Sequence, residues 1–189
     1  MKKTITTLFA IATLLVTFNT QAQKFPGPDA SPMDAAHFPD QQPLDEVMGR
    51  PVKDLKIKIY YSRPQLKGRV MLGEKAAPFG EMWRLGANEA NEITFYQDVT
   101  VGTTKVKAGT YTLFAIPNTD KWTFVLHSKL NTWGNYTLKD SKEIARVDGP
   151  VRKSDEPIEY LSMVFKEVEG GTHLMVGWEN TIAEMPIKW

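Results

Sequence analysis

The residues best equipped for chemistry crowd into one stretch of the chain. Between Arg63 and Glu89 lie three arginines (Arg63, Arg69 and Arg84) with Trp83, Asn88 and Glu89, set among glycines and prolines that fix loop shape. Guanidinium groups present forked donors that grip a carboxylate or phosphate in plane. An indole beside them stacks on a sugar face or an organic ring, and an amide with a carboxylate orients hydroxyls. Glu89 is also the candidate general acid or base of a hydrolase, a role its surroundings must tune. The competing reading is structural: Arg84 pairs with Glu89, Asn88 caps a turn through its side chain, and Trp83 plugs one end of the fold.

A second group follows later in the chain. His127 ends an alternating apolar run, and Trp133, Tyr136 and Asp140 come after it in an irregular segment. If the two segments converge, they build an aromatic-walled pocket in which His127 or Asp140 assists Glu89. A glycosidase-type pair of Glu89 with Glu179 requires the two carboxylates about 5–10 Å apart, which spacing along the chain does not establish. No nucleophile-elbow, Ser-x-x-Lys or phosphate-cradling glycine motif occurs. His37, His127 and His173 are scattered and cysteine is absent, which disfavours zinc and thiol chemistry. Calcium is left open, because carbonyl and carboxylate sites leave little signature. No cofactor and no metal are expected.

These residues sit in a recognisable pattern. The run from about Ser62 through Trp83-Arg84-Leu85-Gly86-Ala87-Asn88-Glu89, then Gly109-Thr110-Tyr111-Thr112-Leu113-Phe114-Ala115-Ile116-Pro117, Trp122-Thr123 and Trp133-Gly134, resembles the DUF2911 family of bacterial exported proteins. The resemblance covers about Val52 to Trp189. It implies an exported, β-rich domain of uncharacterised function and carries no catalytic residues with it.

The elements that must position these groups read as strands. Leu55, Ile57, Ile59 and Tyr61 alternate with lysines and Tyr60, the period of a strand with one buried face. Ile93, Phe95, Val99 and Val101 mark a second strand region, with a turn at Gly102-Thr103-Thr104-Lys105. Thr110 to Ile116 is dense in β-formers and is ended by Pro117, and Trp122 to His127 puts Trp122, Phe124 and Leu126 on one face. Glu169-Gly170-Gly171 separates two further runs as a hairpin turn, and Pro186 suggests an edge position for the last strand. Seven or so short strands without a convincing amphipathic helix predict an all-β domain, a single antiparallel β-sandwich of jelly-roll-like or immunoglobulin-like topology with little helix. Gly73–Asn91 and Lys129–Glu156 resist the strand reading, and long irregular connections are where function tends to sit.

Composition bounds the rest. Lys2 and Lys3 precede a mostly apolar run of about 14 residues and then Thr20-Gln21-Ala22, the layout of a secretory signal cleaved after Ala22 and too short for a membrane span. Residues 23–44 are proline-rich and read as an extended arm or linker, and 45–189 as the domain proper. The formal net charge of +1 gives no reason to expect nucleic acid as a partner. The expected location is periplasmic or secreted, with no membrane span after cleavage. The leading functional expectation is a non-enzymatic binding module of the cell envelope. Its ligand is a carbohydrate or an acidic small molecule, held by Arg63, Arg69, Trp83, Arg84, Asn88, Glu89, Trp133 and Tyr136. The alternatives are a hydrolase using Glu89 and an assembly module whose proline-rich arm docks on a partner. The sequence leaves the oligomeric state open.

Overall fold

The structure is a computed structural model, which describes residues 23–40 and 42–189 apart from the side chains of Gln42 and Asp140. The cleavable leader expected at residues 1–22 lies outside the described residues. Nine strands form one continuous antiparallel sheet, in the order β1-β2-β3-β6-β7-β8-β9-β4-β5. They are β1 (Met33–Phe38), β2 (Ile57–Ser62), β3 (Asn91–Phe95), β4 (Val99–Val101), β5 (Thr104–Val106), β6 (Gly109–Ile116), β7 (Lys121–His127), β8 (Glu143–Val168) and β9 (Gly171–Lys188). Among the described residues, helix is confined to α1 (Gln42–Val47) and one turn of 3-10 helix at Leu138–Asp140. The all-β expectation therefore holds.

Alternation explains most of these strands. In β7, Trp122, Phe124 and Leu126 are fully buried toward the core, as the period-2 pattern requires. The inward-facing apolar side chains of β2, β3, β6 and β7 join those of β4, β5, β8 and β9 in one main cluster. The long β8–β9 hairpin makes this possible by bending over. Its ladder shifts register between Lys153 and Ser162, opposite Glu179, which takes a left-handed backbone at φ 54°. After the bend, the end of β9 returns to its beginning: the Trp189 N–H donates to the Gly170 carbonyl at 3.2 Å. A Cβ at Gly171 would lie 2.1 Å from the Ile187 carbonyl oxygen, so only glycine permits that approach.

Several expectations need correction. Residues 33–38, inside the stretch read as an extended arm, are an edge strand paired along its whole length with β2. The region of Ile93 to Val101 is two strands in distant parts of the sheet, since β3 pairs with β2 and β6 whereas β4 pairs with β5 and β9. The segment 143–156 is not irregular but the first part of β8, which pairs with β7. Pro186 does not mark an edge: β9 lies between β8 and β4. The proline is tolerated because the ladder to β8 ends at Ala183 and that to β4 begins at Ile187, so its missing N–H breaks no pair.

Candidate functional site

The three arginines do not meet. Arg63 lies just beyond β2, at a seam where β1 and the far part of β8 approach without a backbone ladder. It donates through Nη1 to Asp34 of β1 at 3.0 Å, and through Nε to the Leu161 carbonyl (3.3 Å) and Nη2 to Ser162 Oγ (3.0 Å) of β8. Beside it the Tyr61 hydroxyl accepts from the Met163 N–H at 3.2 Å, and burial pushes this phenol's pKa up, which keeps its proton in place. Arg69 closes its own loop, donating to the carbonyls of Leu66 (2.8 Å) and Gln65 (2.7 Å). Both guanidinium groups are thus spent on structure.

Trp83 is also structural. It is 4% exposed, stacks on Trp178 with centroids 5.6 Å apart, and meets Trp122 edge-on at 5.9 Å. Its N–H and C=O pair with Ala115 across β6, and its indole N–H donates to the Gly86 carbonyl at 3.3 Å. Of the structural alternatives weighed for this block, the tryptophan plug is the one the fold adopts. The loop after it is held from beneath: Ser62 Oγ bonds both the N–H and the C=O of Ala87, and Asn91 Nδ2 donates to the Leu85 carbonyl at 2.8 Å. Asn88 caps no turn but donates to Asp29 of the N-terminal segment at 3.0 Å.

Arg84 is different. The antiparallel bridge Trp83↔Ala115 turns Trp83 inward, and strand alternation then sets Met82 and Arg84 on the outer face, the face of Phe114. Phe114, Val125 and Ala90 form a small apolar cluster there, with Met82 packed against it, and the His127 ring stands edge-on to Phe114 at 5.6 Å. Over this face the two irregular segments meet. Residues 88–90 and 132–134 form a short ladder, with the Ala90 N–H donating to Thr132 at 2.9 Å, the Gly134 N–H to Asn88 at 3.2 Å, and Glu89 bridged to Trp133. Asn135 Nδ2 adds a bond to the Met82 carbonyl at 2.7 Å.

This ladder sorts the side chains. Glu89 and Trp133 share its outer side and are both exposed, whereas Ala90 and Thr132 face inward and are buried. Arg84 reaches the junction beside Gly134: its Nη1 lies 3.5 Å, and the Tyr136 ring 2.8 Å, from where a Cβ on that glycine would stand. Gly134 has φ 60°, so both the backbone and the crowding call for glycine. Arg84 makes no hydrogen bond or ion pair with any described residue, Glu89 included, and its Nε is buried. The other five arginines, at 50, 63, 69, 146 and 152, all have partners. Thr132 Oγ1 and His127 Nε2 are likewise buried without partners under the same roof.

His127 bonds Ser141 Oγ through Nδ1 at 3.0 Å, and burial pushes its pKa down, with Arg146 adding to the shift and Glu143 opposing it. Asp140 closes the 3-10 turn nearby, but its side chain lies outside the described ones. Glu179 is not brought to Glu89. Its carboxylate accepts from the N–H groups of Met71 (2.5 Å) and Leu72 (2.8 Å) at the bend of β9, while Glu89 sits on the ladder with Trp133. A cleft of about 280 Å³ opens next to the junction, walled by Tyr60, Glu89, Glu92, Asn131 and Thr132. Tyr60 and Glu92 escaped the sequence reading, although both fall on the outward positions of alternating strands. That parity was the available signal.

Of the proposed binding residues, the fold therefore gathers Arg84, Asn88, Glu89, Trp133 and Tyr136, and it sets Arg63, Arg69 and Trp83 apart from them. A family model described as a protein of unknown function, DUF2911, matches residues 42–187 of the chain. No curated protein and no solved structure matches it.

Proposed function

We propose, on the premise that the chain belongs to the DUF2911 family, that it is a binding module whose loop junction takes a small molecule bearing a carboxylate or other anionic group. The observation that carries this reading is Arg84. Its Nε is buried with no acid, carbonyl or hydroxyl to receive its proton, and native folds rarely leave a buried donor unanswered. A planar anion supplies the missing acceptors in the geometry the fork prefers. The exposed Tyr136 ring, close to Gly134 as Arg84 Nη1 is, and the exposed Trp133 on the adjoining ladder suit a ligand whose anionic group sits on a sugar or other ring. An acidic sugar combines both features.

Location belongs to the same reading. The basic residues, short apolar run and small-residue site of the first 22 residues support export to the cell envelope. Among the described residues no helix is long and apolar enough to cross a membrane.

Calorimetric titration with D-glucuronate and with inorganic phosphate tests the proposal. Wild type should bind at least one of them, and Arg84→Gln should weaken that binding tenfold or more, as loss of a charge-assisted pair worth about 1.5–3 kcal/mol implies. Equal affinity in the two proteins, or no binding of either acid to wild type, would sink the reading.

A further inference from the structure

A second cavity carries four neutral amide and hydroxyl side chains together with Arg152 and Lys153. It measures about 350 Å³, within the range of small-molecule sites, and forms where four separate elements converge. These are the 72–79 loop, the turn between β6 and β7, the stretch Val151–Lys153 of β8, and the bend of β9. Asn118 and Thr119 face it from the turn, and Asn180 and Thr181 from the bend. None of these four side chains has a hydrogen-bond partner among the described residues. Trp122 also lines the cavity. It is fully buried, and its indole N–H has no acceptor. Phe79 adds a half-exposed ring at the lip.

The walls are fixed. Glu179 draws the 71–72 backbone onto β9 through its two N–H bonds, and the Gly80 N–H donates to the Pro117 carbonyl at 2.9 Å, so the loop is pinned at both ends. The fold places the two Asn-Thr pairs around one hollow.

From this arrangement we infer a second binding site, for a hydroxyl-rich ligand such as a single sugar ring. Each amide and each hydroxyl both donates and accepts, which matches sugar hydroxyls and gives no advantage to a pure anion or cation. Two cations also line the wall: Arg152 has its charge answered by Glu184 at 3.5 Å, and Lys153 is exposed, where solvent screens its charge. The inference is independent of Arg84, because none of these residues touches the loop junction.

The test is calorimetry of the full mature chain with D-glucose, D-galactose, D-mannose and N-acetyl-D-glucosamine. At least one should bind, with affinity reduced about fivefold in Asn118→Ala and in Asn180→Ala, the change expected for one lost hydrogen bond. Arg84→Gln should leave this affinity unchanged. The thermal transition of each variant establishes that it folds, and Thr181→Ala replaces either one that does not. The inference is overturned if none of the four sugars binds wild type at millimolar concentration. It is equally overturned if folded variants bind as wild type does, or if Arg84→Gln abolishes the binding.

Discussion

Two arginines, Arg63 and Arg84, sit in the same stretch of sequence and look interchangeable there. The fold gives them opposite circumstances. At the seam between β1 and β8, Arg63 spends its donors on Asp34, Leu161 and Ser162, and Tyr61 adds its hydroxyl to the Met163 backbone. Side chains do there what a backbone ladder does elsewhere in the sheet. At the loop junction Arg84 has no partner, although Glu89 is only five residues away and the loops around it are tightly bonded to each other. The lesson is that residue type marks where a guanidinium lies, while the state of its donors separates scaffold from site. A spent fork closes the fold, and a free one is available to a ligand.

The sharpest way to break this comparison is at the seam. Arg63→Ala removes bonds to two strands that have no direct pairing and leaves Asp34 without its cation. Because Arg63 and Asp34 are both partly exposed, the ion pair itself is screened, and the expected loss is about 1–2 kcal/mol, seen as a lower urea midpoint. Ligand binding at the junction should not change. A variant as stable as wild type would show that the seam holds without its side-chain stitches.

Arg84→Met makes the converse, smaller change. It keeps the aliphatic packing beside Gly134 and removes an unanswered charge, so the stability of the ligand-free protein should stay level or rise by up to about 1 kcal/mol. Thermal melts in the presence and absence of D-glucuronate check both sides: the ligand-induced stabilisation of wild type should vanish in the variant. A loss of more than about 2 kcal/mol without ligand would place Arg84 with Arg63 among the structural residues.

How much of this was legible in the letters follows from what is local. The alternations of β2 and β7 and the Glu169-Gly170 turn are local patterns, and they stand as read. Strand β1 was hidden because only Ala36 and Phe38 of its six residues are buried, too few to show a period among prolines. The first part of β8 was hidden by small inward residues, Ala145 and Gly149, which carry little apolar signal although they alternate correctly. Trp83 in the core, the meeting of the 88–90 and 132–134 segments, and the spent donors of Arg63 and Arg69 all depend on contacts far apart in the chain. Residue type located the loops that matter, and only the ladder between them decided which of their side chains share a site.

The smallest effect compares the two regions through their histidines, one in each. His37 lies on β1 beside the seam and His127 under the junction loops, and burial is the first cause lowering the pKa of both. Lys58 and Arg146 add to the shift respectively, against Asp34 and Asp40 in one case and Glu143 in the other. A histidine whose folded pKa is lowered takes up its proton more readily in the unfolded chain. Stability is therefore full above the ordinary value of about 6.5 and declines as pH falls below it, until the folded pKa is reached. The carboxylates Glu143, Asp148 and Glu184 are held below their ordinary values by hydrogen-bonded cations or histidine. Their contribution is lost only in the lower window beneath about pH 4.5, so the two effects separate. Urea midpoints followed from about pH 7.5 to 5 should fall, less so in His127→Gln than in His37→Gln, because His127 is 7% exposed and its ring is the more deeply enclosed. Equal slopes in both variants would mean that the junction shields its histidine no better than the seam does. In that case the roof formed by the two loops is more open to water than its ladder suggests.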